Sequence, residues 1–204
     1  MKNFARVSSF ILHPVFIPLL GVGIIFAAFP EIFQFLPYPG ERIVLRILIN
    51  MVLFPVFAMF LLAALGFTRS FQLEDRKQRI IPLILLQFFY IWTWVSFHFD
   101  STTHPIVEVL TMGAALSAVL AFLATVLVHK ISLHATGWGL LAGLVLGLIP
   151  LSGLNLEWML ILVILLAGIA GSARLMLQKH QEKEIYSGYL VGLFSALAAL
   201  QMIF

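Results

Sequence analysis

Between two long apolar segments the chain carries ARLMLQKHQEKE (Ala173–Glu184), in which Arg174 stands six residues before His180 and Glu184 four residues after it. A neutral imidazole can attack phosphorus, and a carboxylate on its other ring nitrogen fixes the tautomer. Residues four apart on a helix share a face, so Glu184 is expected to reach His180. The pair also lies just ahead of the last apolar segment, where a helix N-terminus favours anions. A second histidine, His134, ends the stretch HKISLH (129–134), two residues after the hydroxyl of Ser132. Such an imidazole can protonate a departing oxygen. A third polar stretch, LEDRKQRIIP (73–82), supplies Arg76, Lys77 and Arg79. Arginine and lysine bind phosphate oxygens, arginine in a bidentate fashion. The chemistry these residue types suit is phosphoryl transfer.

The elements that must position them are membrane spans. Of 204 residues, 62% are hydrophobic and 10% charged, whereas a soluble domain carries about 25% charged residues. The chain is therefore expected to be all-α, a polytopic bundle of about six or seven transmembrane helices forming one transmembrane domain over 1–204. Seven segments are apolar enough: Phe10–Phe29, Ile43–Phe67, Ile80–His98, Pro105–Val128, Ala135–Pro150, Glu157–Ala173 and Ser187–Phe204. The first is long and proline-rich without a small-residue cleavage site, so it reads as a span rather than a cleaved leader. In the fifth, Gly139, Gly143 and Gly147 recur every four residues, a pattern that lets helices approach closely in lipid. Cysteine is absent, which excludes thiolate and disulfide chemistry.

Two apolar segments separate the first polar stretch from the second, and two more separate the second from the third. An even number of crossings puts all three on one membrane face, where they can converge. That face holds Lys2, Arg6, Arg69, Arg76, Lys77, Arg79, Lys130, Arg174, Lys179 and Lys183, against Arg42 and Arg46 on the other. Ten basic residues against two make the motif-bearing face the cytoplasmic one by the positive-inside rule.

The order and spacing of the three stretches resemble the type 2 phosphatidic acid phosphatase superfamily of membrane lipid phosphatases. Arg174, five residues, His180, three residues and Glu184 reproduce the spacing of that family's third motif, with Ala173 and Glu184 in place of its Ser and Asp. Ile131–His134 keeps the Ser and His of the second motif but not its Pro and Gly. In the first motif Arg79 precedes Pro82 by three positions, and Gln72 stands where the lysine belongs, so Lys77 or Arg76 supplies that cation. The resemblance covers 73–193, and the wording ED-R-x-x-R-x-x-P and K-I-S-x-H is similar to small Bacteroidetes-type members, implying a bacterial inner membrane. It implies His180 as nucleophile, His134 as acid, Glu184 as the carboxylate that orients His180, and Lys77, Arg79, Ser132 and Arg174 as the phosphate holders. It further implies a lipid phosphate or pyrophosphate substrate in the bilayer, a phosphohistidine intermediate, and no cofactor, metal or nucleic-acid partner. The alternative is a catalytically impaired relative that binds or transports a lipid phosphate.

Blander roles stand beside these. Arg174, Lys179 and Lys183 can be interfacial anchors, Ser132 can cap the fifth span, and Glu74 and Asp75 can pair with the neighbouring arginines. His98, Asp100 and His104 on the opposite face offer three loop ligands without an accompanying base, which argues against a catalytic zinc. His13 before Pro14 is either functional or bonded to a carbonyl freed by Pro18. The many Phe residues, with Trp92 and Trp94, are expected to face lipid or its interface. The DR-x-x-R wording at Asp75 echoes intramembrane prenyltransferases, but the aspartate-rich magnesium motifs those enzymes need are absent.

Overall fold

A computed structural model of the chain describes residues 2–30, 40–66 and 79–204. Among them every regular element is helical: α1 (Lys2–Ile11), a 3₁₀ turn (Pro14–Phe16), α2 (Ile17–Ala28), α3 (Gly40–Ile47), a π-helical turn (Leu48–Leu53), α4 (Phe54–Ala64), α5 (Ile80–His98), α6 (Pro105–Leu127), α7 (Leu133–Ser152), α8 (Glu157–Met176) and α9 (Glu182–Ile203). These make seven segments long and apolar enough to cross a membrane, with α1 and α2 combining into the first and α3, the π turn and α4 into the second.

Proline marks the irregular point of both composite spans, because it lacks an N–H and crowds the carbonyl four residues back. In the first, His13 and Pro14 end α1; His13 accepts the amide of Val15 through Nδ1 at 3.2 Å and so caps the turn that follows. The histidine is thus bonded to an amide rather than to a carbonyl freed by Pro18. In the second, Phe54 N reaches back five residues to Ile49 O, widening the helix just before Pro55.

The α6 and α7 helices form the centre, each with 61% of its apolar window buried, against 22% for the second and third spans. Trp138, Leu110, Leu141 and Leu148 are among the side chains that fill the core. Trp92 is exposed as expected, while Trp94 packs inward against the core.

The α7–α9 pair is the tightest joint, and the glycine stripe explains it. A Cβ on Gly143 would lie 2.7 Å from Leu193 O, one on Gly188 2.8 Å from Ser132 O, and ones on Gly139 and Gly192 would collide with the backbones of Tyr189 and Thr136. Small residues here let the two backbones touch, which is how helices associate where lipid offers no hydrophobic drive. The close approach brings the loop before α7 against the start of α9, where Ser132 N donates to Glu184 O at 2.9 Å.

The spans extend beyond their apolar cores. The first starts at Lys2 rather than Phe10, α8 continues past Arg174 to Met176, and α9 starts at Glu182 rather than Ser187. Charged side chains at span ends reach the interface along flexible stems, so a hydropathy boundary stops short of the helix.

Candidate functional site

At the start of α9, Gln181 and Glu184 form a reciprocal capping box. His180 lies just outside the helix, in the loop after α8, so its pairing with Glu184 does not come from a shared helical face. Glu184 instead folds back over the cap: Oε2 accepts from His180 Nδ1 at 2.8 Å and from Gln181 N at 3.2 Å, and Lys130 Nζ lies 4.0 Å away. The loop reaches this position through Gln178, whose φ of 55° ends α8 in the left-handed region. Donation from Nδ1 to the carboxylate leaves the Nε2 lone pair of a neutral His180 free of it. Burial, then the charges of Arg79, Arg174 and Lys130, hold the His180 imidazole well below the ordinary histidine range. At neutral pH the ring is uncharged, as a nucleophile at phosphorus must be.

Arg79 precedes α5 and is buried, donating from a terminal guanidinium nitrogen to Ile131 O at 3.1 Å. Burial lowers its pKa, and the Glu184 carboxylate acts in the opposite direction. Arg174, in the last turn of α8, donates to Ser9 Oγ at 3.0 Å, and its Nε is buried without a partner. His134 occupies the first turn of α7, with Nε2 3.0 Å from Ser9 O and 3.4 Å from Ser9 Oγ. A carbonyl only accepts, so Nε2 carries the hydrogen in that contact. The ring of His13 meets that of His134 edge-on at 5.1 Å.

Four of the residues expected from the sequence, Arg79, His134, Arg174 and His180, line one cavity of about 860 Å³. The cavity continues away from them along Met51, Pro55, Pro82, Leu86 and Tyr90. From Arg79 to Tyr90 is eleven residues, ~16 Å along a helix at 1.5 Å per residue, so the apolar limb runs a large part of the way into a leaflet.

One expected residue is placed otherwise. Ser132 is fully buried behind the cavity wall, where its Oγ accepts from Ala135 N at 3.4 Å and caps α7. Lys77 lies outside the described residues, as do Arg76, Glu74 and Asp75. The sequence reading missed Ser9, which joins His134 to Arg174, and Lys130 beside Glu184. A signal for Ser9 exists: Lys2, Arg6, Ser9 and His13 fall at i, i+4, i+7 and i+11, a polar stripe of helical period at the start of an apolar span.

On the opposite face Asp100 takes Arg46 at 2.6 Å and Thr102, His98 pairs with Glu108 at 2.6 Å, and His104 caps α6 through Ile106 N. The hydroxyl of Thr102, foremost, holds the Asp100 carboxyl below its ordinary value, with the nearby Arg46 adding to it. Compared with known protein families, curated proteins and solved structures, the chain matches none.

Proposed function

We propose that this seven-span bundle is an integral membrane phosphatase that hydrolyses a lipid phosphate or pyrophosphate, with His180 as nucleophile. The observation that carries the reading is the setting of His180: a buried, neutral imidazole held by Glu184, amid the charges of Arg79 and Arg174, at the polar end of a cavity whose other limb is apolar. Two guanidinium groups match the charge of a phosphate, about −1.5 to −2 at neutral pH. The apolar limb would keep the hydrocarbon tail out of water. In the first step His180 Nε2 forms a bond to phosphorus as the leaving oxygen departs with the Nδ1 proton of His134, which must enter the step protonated because its Nε2 hydrogen stays on Ser9 O. Water then cleaves the phosphohistidine, releasing phosphate and returning a proton to His134 Nδ1. Such a phosphatase needs no metal or cofactor, and the resemblance of 73–193 to type 2 phosphatidic acid phosphatases points the same way.

One observation favours the second reading, a lipid-phosphate binding or transport protein without turnover. The Nε2 hydrogen of His134 is committed to Ser9 O, so that nitrogen is not offered to a leaving group. Phosphate release from a panel of lipid phosphates and pyrophosphates in EDTA, comparing wild type with His180→Ala, decides between them. Release by wild type alone supports the phosphatase; binding without release supports the carrier.

The ten-to-two distribution of basic residues favours a cytoplasmic position for the site, in a bacterial inner membrane. Labelling of Lys183→Cys by an impermeant thiol reagent in intact cells would reverse that orientation.

A further inference from the structure

The cavity holds more positive charge than one phosphate needs. Besides Arg79 and Arg174 it is lined by Lys2, Arg6 and Lys179, and no carboxylate is among the described residues that line it. Lys2, Arg6 and Ser9 come from α1 and line the cavity together with His13, which follows that helix. The spacing of four and three residues puts Lys2, Arg6 and Ser9 on one helical face. The register of that face is fixed at one point, because Ser9 Oγ accepts from Arg174 at 3.0 Å. Arg6 is three residues from Ser9, a rise of ~4.5 Å, and Lys2 seven residues away, a rise of ~10.5 Å. The α1 cations therefore begin one helical turn beyond the Arg174 end of the site.

We propose that α1 carries a second anion subsite, built from Arg6 and Lys2, and that the ligand of this cavity is a diphosphate. One phosphate lies at Arg79, Arg174 and His180, and the other at Arg6 and Lys2. Anchoring to anionic lipid headgroups would also use basic residues at a span end, but it would not require them to line the cavity or to share a face with a serine bonded to Arg174. Joined phosphates fit the single-turn offset of Arg6, whereas widely spaced ones do not. This subsite rests on the phosphatase reading for its first phosphate position, although it needs binding only and no turnover.

The test uses the purified full-length protein in detergent with EDTA, titrated with inorganic phosphate, inorganic pyrophosphate and propane-1,3-diol bisphosphate, and read by calorimetry. Two exposed cations at ~0.2–1 kcal/mol each should make pyrophosphate bind up to about tenfold more tightly than phosphate. Lys2→Gln/Arg6→Gln should remove that preference while changing phosphate affinity less than about twofold, because those residues would not touch the first position. Arg174→Gln should weaken both anions. Equal affinities in the wild type, equal losses of both anions in the double variant, or a preference for the spaced bisphosphate would each overturn the diphosphate subsite. Binding of neither phosphate nor pyrophosphate would remove the first position, and the phosphatase reading with it, whereas phosphate binding without a pyrophosphate gain removes the subsite alone.

Discussion

The same pair of side chains occurs on both membrane faces. His98 gives Nδ1 to Glu108 at 2.6 Å, and His180 gives Nδ1 to Glu184 at 2.8 Å. By distance alone the first is the better contact. Their surroundings differ: the side chains of His98 and Glu108 are 50% and 15% exposed, those of His180 and Glu184 2% and 6%. Around His98 lie Trp94 and Phe99, whereas His180 sits among Arg79, Arg174 and Lys130. An exposed histidine–carboxylate pair is a surface contact of small worth. A buried one between cations has its protonation and orientation set by the protein, which is what a reacting group needs.

Substitutions test whether that difference is functional. The largest effect is expected at the imidazoles: His180→Ala should abolish phosphate release while still binding phosphate through Arg79 and Arg174, and His98→Ala should leave release at the wild-type level. Equal loss in both, measured on every lipid that responds, would remove the distinction between the faces.

The carboxylates come next. Losing the orienting carboxylate of a serine protease triad costs about 10⁴ in kcat. A smaller loss of roughly 10²–10³ in kcat, with KM little changed, is expected for Glu184→Ala, because the loop from Gln178 to Gln181 still holds the ring near its position. Glu108→Ala should be silent. Full activity in Glu184→Ala would assign the orientation of His180 to another group.

The smallest effect concerns what holds the buried pair in place. Adding a methyl to the α7–α9 seam with Gly192→Ala forces the backbones apart and should cost about 1–3 kcal/mol of stability. It should also lower activity by moving the loop that carries Ser132 relative to Glu184. Gly168→Ala, at a glycine with open space where a Cβ would stand, should do neither. Thermal unfolding in detergent and the release assay measure both quantities. A silent Gly192→Ala would mean that the seam does not position the site.

Much of this arrangement is legible in the sequence. Apolar length marks seven spans, and crossing parity puts the stretches around Arg79, His134 and His180 on one side. Spacing marks His180 with Glu184, although for a different local reason: the pair is closed by a capping box and not by a helical face. Gly139, Gly143 and Gly147 advertise a close helix contact without saying with which helix. The stripe of Lys2, Arg6, Ser9 and His13 marks a polar face but not what it meets, since the partners of Ser9, His134 and Arg174, lie 125 and 165 positions away. Such contacts follow from how α1 lies across α7 and α8, and no local pattern encodes that. The inward turn of Trp94 is missed for the same reason: residue type alone does not say which face of α5 meets the core.

The proline break in the first span has a consequence for His134. An unbroken helix would join Ser9 O to the amide of residue 13 and Leu12 O to that of residue 16. Once Pro14 stops α1, both carbonyls lose those donors, and in hydrocarbon an orphaned carbonyl costs several kcal/mol. Two side chains one turn apart on α7 replace the missing amides: His134 Nε2 bonds Ser9 O at 3.0 Å and Trp138 Nε1 bonds Leu12 O at 3.2 Å. The central helix thus completes the backbone bonding of its broken neighbour with an imidazole and an indole. Position 134 must therefore supply an N–H whatever else it does. A residue there without a donor would unsettle the first span as well as any chemistry, and a proton that His134 trades with a ligand must travel through Nδ1.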